Sequence, residues 1–237
     1  MDKNVCAQAG IASLGALVAH ATVSIRSYYS SQHLWAAEHF ARLAADYECE
    51  HADAERISIQ HRAYVMTAVS EAVAFLEAFI NELYQDAADG SGAADGLPPE
   101  MVRLMTEYWR STDRGHSVEI TKKYDMARVF AAQPRADAGR RPHDDVKYLI
   151  KLRNWLLHYR PKTIGEKTPE NVIDHVRGRF SDNPFLTGSG NSWFPDHALG
   201  AGCADWAVRS VRTFVDEFAA AVDCVANYQV VEWQEQP

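Results

Sequence analysis

Arg153, Asn154 and His158 fall within one short stretch, Leu152 to Tyr159 (LRNWLLHY), and offer the groups needed to hold a phosphate and move a proton. Arginine keeps its charge at any physiological pH and presents a planar fork of donors that matches phosphate oxygens. Histidine titrates near neutrality and serves as acid or base, and asparagine can orient one phosphoryl oxygen. Lys147, Lys151 and Tyr159 stand beside this group as candidate binding residues.

These side chains need a helix to position them, and the segment reads as one. At about 100° per residue, Val146, Leu149, Ile150, Leu156 and Leu157 share an arc of roughly 120°, and Arg153 lands inside it. A charge that cannot be shed, set in an apolar stripe, requires an acidic partner, an anionic ligand or a subunit interface. Glu77 is the leading acidic candidate. With Asn81 it shares one edge of a long upstream helix, where both could support Arg153 or simply form a polar helix boundary. Asn154 and His158, four apart, share one edge of the downstream stripe.

Other chemistries find little support. The remaining histidines, including His39, His61 and His143, show no ligand spacing with thiolates or carboxylates, so packed or solvent-facing rings are expected and no metal site is assigned. Cys6, Cys49, Cys203 and Cys224 are scattered singly, which fits a reduced cytoplasm. There is no glycine-rich phosphate loop, and no cofactor is expected. Trp193, Phe194 and Trp206 could stack on a base, but core packing is the simpler role.

The net charge of −8 argues against a protein that coats nucleic acid, yet it conceals an asymmetry. Residues 44–100 carry 12 acidic and 2 basic side chains, whereas residues 135–167 carry 9 basic and 4 acidic. A local basic site is therefore compatible with an acidic whole.

Periodicity is helical throughout, and an all-α bundle is predicted. Residues Val5–Ile25 and His33–Tyr47 read as N-terminal helices, the first amphipathic rather than a signal peptide or membrane span. The strongest helix covers about Ala54–Asp86, where Val65, Val69, Ala72, Leu76, Phe79 and Leu83 recur in steps of four and three. Shorter helices are expected over Met101–Arg110 and Val118–Ala132. One capped by Asp144 or a neighbour runs to Tyr159, and a terminal one covers Ala204–Val225. Residues 162–202 read as a long loop with a short helix near Val172–Phe180. The division expected is an N-terminal helical appendage over 1–50 and a helical domain over 51–237.

The string R-x-x-x-x-H at Arg153 to His158, with Asn154 as the polar follower, resembles the signature of the HEPN superfamily. Its context strengthens the likeness: Asp144 to Lys151 leads in, Pro161 closes the helix, and Val73 to Tyr84 (VAFLEAFINELY) is similar to the family's long early helix. The resemblance covers roughly residues 54–228. It implies a four-helix up-and-down core, here with additional N-terminal helices, in a cytoplasmic homodimer with no membrane association. It also implies metal-independent cleavage of RNA, often in a toxin–antitoxin or antiviral defence system with an antitoxin or other defence protein as partner. Arg153 and His158 lie about 140° apart on an ideal helix, so two protomers are expected to share the catalytic cleft. A second reading stays open, a non-catalytic module that dimerises or binds a nucleotide or protein through the same groove. Members controlled by nucleotide transfer carry a tyrosine two positions after the histidine. Arg160 stands there in this chain.

Overall fold

The computed structural model describes residues 26–52, 58–160, 170–186, 190–226 and 228, so the helix expected over Val5–Ile25 lies outside it. The described chain is all-α. Its helices are α1 (Ser30–Glu50), α2 (Ile59–Asp89), α3 (Pro99–Ser111), α4 (Ile120–Phe130), α5 (His143–Leu157), α6 (Glu170–Val176) and α7 (Ala201–Val222). Short tight turns at Gly92–Ala94, Pro184–Leu186 and Trp193–His197 complete the described structure.

Helix α2 is the axis, because its apolar row is the longest in the chain. Val65, Val69, Ala72, Leu76, Phe79 and Leu83 are all at least 96% buried, against α1, α3, α4, α5 and α7. Burying each large side chain contributes about 1.5–3 kcal/mol, so this stripe anchors the bundle. By length and composition α2 could cross a bilayer, yet its apolar face is covered by the neighbouring helices, as in a core helix. Helix α1 runs beside α2 and α7 and adds Leu34, Ala37 and Ala44 to the same core.

Helix ends are satisfied by carboxylates from neighbouring helices, which locks the relative positions of the helices. The first N–H groups of a helix lack intrahelical acceptors. Glu82 of α2 accepts from the Tyr29 and Ser30 amides at 2.6 and 2.9 Å at the start of α1. Glu48 of α1 accepts from the Ala201 amide at 2.7 Å at the start of α7, and it also contacts the buried His61 Nε2 at 2.9 Å. Ser58 caps α2 through the His61 amide at 3.2 Å, and Gly90, at φ 65°, ends that helix in the left-handed region that glycine tolerates.

Two buried tyrosines tie α4 to α2. The Tyr124 hydroxyl donates to Leu76 O at 2.8 Å, and the Tyr84 hydroxyl donates to Lys123 O at 3.0 Å. Tyr124 also packs edge-on against Phe214 and Phe218 of α7, at 4.8 Å each. This fixes the first turn of α4 opposite α5.

Helix α5 differs from its sequence reading in two respects. Its N-cap is Pro142, without a side-chain capping bond, while Asp144 and Asp145 lie in the first turn and are both held by Arg179. Acidic groups there complement the positive end of the helix. The buried face also turns by about 60° from the arc of aliphatic residues. Asp145, Val146, Tyr148, Leu149 and Leu152 are buried, whereas Leu157 is 58% exposed. The cause is α6 and the Phe194 turn: Tyr148 stacks on His175 at 4.2 Å, and Trp155 meets Phe194 edge-on at 4.1 Å.

Candidate functional site

The rotation of α5 takes Arg153 out of the centre of the buried face and sets it at the rim of an open cleft of about 550 Å³. The side chains of α5 that line this cleft are His143, Lys147, Ile150, Lys151, Arg153 and Asn154. Opposite them stand Val118 to Thr121 at the start of α4, and Glu77 of α2 closes one wall. Arg153, Asn154, Lys147, Lys151 and Glu77 are thus brought together, five of the residues singled out by type and spacing.

No carboxylate among the described residues pairs with Arg153, and its Nε is buried with no hydrogen-bond partner. The expected pairing with Glu77 does not form. Glu77 Oε1 lies 4.0 Å from Lys123 Nζ, and Asn81 Oδ1 accepts from the same ammonium at 2.8 Å. Lys123 is 2% exposed, and burial pushes its pKa below the ordinary lysine value while the Glu77 charge opposes that shift. Asn81 therefore supports Lys123, and Arg153 is left free for an anion.

The lysines add field rather than a fixed fork. Lys147 and Lys151 place their ammonium groups 5.5 and 4.9 Å from the centre of the Tyr148 ring, and Arg179 lies 5.5 Å from the same ring. Such contacts hold cations over an aromatic face without neutralising them. The cleft walls then present Lys147, Lys151 and Arg153 against Glu77 and Glu119, with Glu77 already turned toward Lys123.

No family model, curated protein or solved structure matches the chain.

His158 is not among the residues lining the cleft. Helix α5 ends at Leu157, and His158 follows as the C-cap at φ −105° and ψ 27°, exposed, its amide donating to Asn154 O at 3.0 Å. Within this chain Arg153 and His158 therefore do not line one cleft, in keeping with their separation on the wheel. Tyr159 is 50% exposed and meets Trp155 edge-on at 5.0 Å, beside the exposed Leu157.

The histidine that does line the cleft is His143, the first residue of α5, which spacing alone leaves as a packed or solvent-facing ring. It is 7% exposed, both ring nitrogens are buried without a hydrogen-bond partner, and its ring lies 5.8 Å from Phe214. A signal for it does exist in the sequence. His143, Lys147, Ile150 and Asn154 follow one another at steps of four, three and four, which is one helical edge. Among the described residues, no three His, Cys, Asp or Glu side chains are grouped so as to hold a metal ion.

Chemically, the arrangement is suited to an anion with several oxygens. Arg153 offers directed donors, the lysines attract from a distance, and Asn154 adds a neutral polar group on the exposed side. The first turn of α4 lines the same space and has no side-chain cap, so the positive end of that helix adds to the field.

Proposed function

We propose that this chain is a HEPN-like endoribonuclease that cleaves RNA without a metal, as a cytoplasmic homodimer acting in a toxin–antitoxin or antiviral defence system. The observation that carries the reading is Arg153: a guanidinium in a basic cleft, its Nε buried and no carboxylate paired with it. A phosphodiester supplies the charge and the acceptor geometry that such a group lacks within the protein. RNA rather than DNA follows from the motif's chemistry, in which the 2′-hydroxyl is the nucleophile.

In this reading the 2′-hydroxyl attacks the adjacent phosphorus, the bond to the 5′-oxygen breaks, and a 2′,3′-cyclic phosphate remains. Arg153 stabilises the charge growing on the phosphoryl oxygens and Asn154 orients one of them. His158 takes the proton from the nucleophile or returns one to the leaving oxygen. Because His158 sits outside the cleft of its own protomer, it serves the cleft of a two-fold mate, and the exposed Leu157 and Tyr159 beside it suit burial between copies. The same position of His158 favours the second reading, a binding module that holds RNA or a nucleotide in the cleft without cutting.

The test is incubation of single-stranded RNA with the purified protein in excess chelator. Fragments ending in 2′,3′-cyclic phosphate or 3′-phosphate, with no cut at a 2′-deoxy position, are expected. Chelator-sensitive cleavage or 5′-phosphate products contradict the mechanism, and binding without cleavage selects the module.

A further inference from the structure

His143 is ten residues upstream of Arg153 on the same helix, and among the residues lining the cleft it is the buried polar one that the R-x-x-x-x-H motif leaves without a role. Ten residues of α-helix span about 15 Å, too far for both side chains to grip a single phosphate. Both nevertheless line one cleft, joined along α5 by Lys147, Ile150 and Asn154. The cleft is therefore a track rather than a point.

Buried polar groups in folded proteins are nearly always hydrogen-bonded. His143 departs from that rule at both ring nitrogens while being 7% exposed. Its ring meets Phe214 edge-on at a centroid distance of 5.8 Å, so a turn of the ring toward the cleft is what would give a nitrogen a partner. The cleft is the open side. The first turn of α4 also lines that space through Glu119, Ile120 and Thr121, and this helix start carries no side-chain cap. The first amides of a helix lack intrahelical acceptors, and the positive end of α4 favours an anion there.

We propose that His143 forms a second phosphate subsite in this cleft, holding a backbone phosphate of the same RNA strand that Arg153 engages. This rests on reading the cleft as an RNA site, and it adds a strand path and a minimum substrate length to that reading. A nucleic-acid strand offers a phosphate about every 3.4 Å of helix rise, so a track of about 15 Å meets several. His143 is then a binding residue for a flanking phosphate, and it makes the site prefer oligonucleotides over dinucleotides.

The experiment uses the full chain labelled on its histidine rings, titrated with 2′-O-methyl RNA of two and of six nucleotides, neither of which can be cleaved. The hexamer is expected to shift the His143 ring resonances saturably, while the dinucleotide, gripped at Arg153, leaves them in place. His143→Gln is expected to weaken hexamer binding about tenfold, the loss for one hydrogen bond to a charged group, and to change dinucleotide binding less than about twofold on the same scale. Resonances of His143 unmoved at hexamer saturation overturn the proposal, whether or not the variant folds. Equal loss of both ligands in a folded His143→Gln also overturns it, because that marks a packing role. Hexamer binding that moves His143 without any cleavage of ordinary RNA supports the subsite and removes the nuclease reading. Cleavage with His143 unmoved removes the subsite and leaves the nuclease reading intact.

Discussion

Lys123 Nζ donates to Asn81 Oδ1 at 2.8 Å and lies 4.0 Å from Glu77 Oε1, so the two side chains best placed to answer Arg153 are turned to a different cation. The buried end of Arg153 is thereby uncompensated, a costly arrangement unless a ligand supplies the counter-charge.

Arg153→Met should therefore leave the free protein as stable as before, or raise its melting temperature, while weakening RNA binding. Removing one partner of a buried ion pair costs about 3–5 kcal/mol because it leaves the other charge buried and uncompensated, whereas removing Arg153 strands no carboxylate and relieves the desolvation of its buried Nε. Thermal unfolding of the two chains decides between these cases. A loss of several kcal/mol in the variant means that Arg153 has a partner inside the fold.

Lys123 gives a prediction at alkaline pH. Its folded pKa is lowered by burial, so just below the unfolded lysine value of 10.5 the unfolded chain binds more protons than the folded one. Stability from this group accordingly rises as pH climbs through the folded pKa toward 10.5. The buried Tyr84 and Tyr124, whose pKa values are raised by desolvation, pull the other way above their ordinary value. The informative quantity is thus the difference between the native chain and Lys123→Met in denaturant melts. The native chain should gain on the variant across that window, and parallel pH profiles contradict the assignment.

The rotated face of α5 separates two leucines that the helical wheel treats alike. Leu149 is fully buried, and Leu149→Ala should cost about 2–5 kcal/mol. Leu157 is 58% exposed, and Leu157→Ala should stay within about 0.5 kcal/mol for the single chain. Chemical denaturation checks both. Similar costs at the two positions place the buried face back on the aliphatic arc.

That rotation also shows which parts of the structure were legible in the sequence. The row from Val65 to Leu83 on α2 is long and uninterrupted, so its period fixed the buried face without help from neighbours. On α5 the arc is drawn through Val146, Leu149, Ile150, Leu156 and Leu157, and Tyr148, Leu152 and Trp155 lie to one side of it. Their burial depends on α6 and on the Phe194 turn, elements within a segment that lacks any period. The basic cluster around Arg153 was legible as charge and spacing. Its counter-charge was not, because the side-chain bond from Lys123 to Asn81 is set by the tyrosine clasp between α4 and α2. His143 does not stand out in the sequence because it opens its helix, where one residue shows no periodicity. Only the run through Lys147, Ile150 and Asn154 reveals its edge.

Thiol chemistry offers an independent check of the packing of α7. Burial pushes the Cys203 and Cys224 thiols up to about 12, so little reactive thiolate exists on either near neutrality. Cys49 on α1 is exposed. Alkylation of the native protein at pH 8, followed by peptide mass spectrometry, should label Cys49 well before Cys203 or Cys224. Rapid labelling of Cys203 in the folded chain contradicts the packing of α7 against α1 and α2.

The single-turnover rate of cleavage of one single-stranded RNA, compared between the native chain, Arg153→Met and His158→Ala, tests the proposed nuclease most directly. His158→Ala should lower the rate by on the order of 10² to 10⁴, the range for a positioned acid or base, with RNA affinity retained. Arg153→Met should lower both rate and affinity. Mixing the two variants should restore part of the native rate, because a dimer of one of each kind still holds an intact Arg153 cleft facing an intact His158. Unchanged cleavage in His158→Ala, or no cleavage by the native chain under conditions where it binds RNA, contradicts the nuclease and leaves a binding cleft.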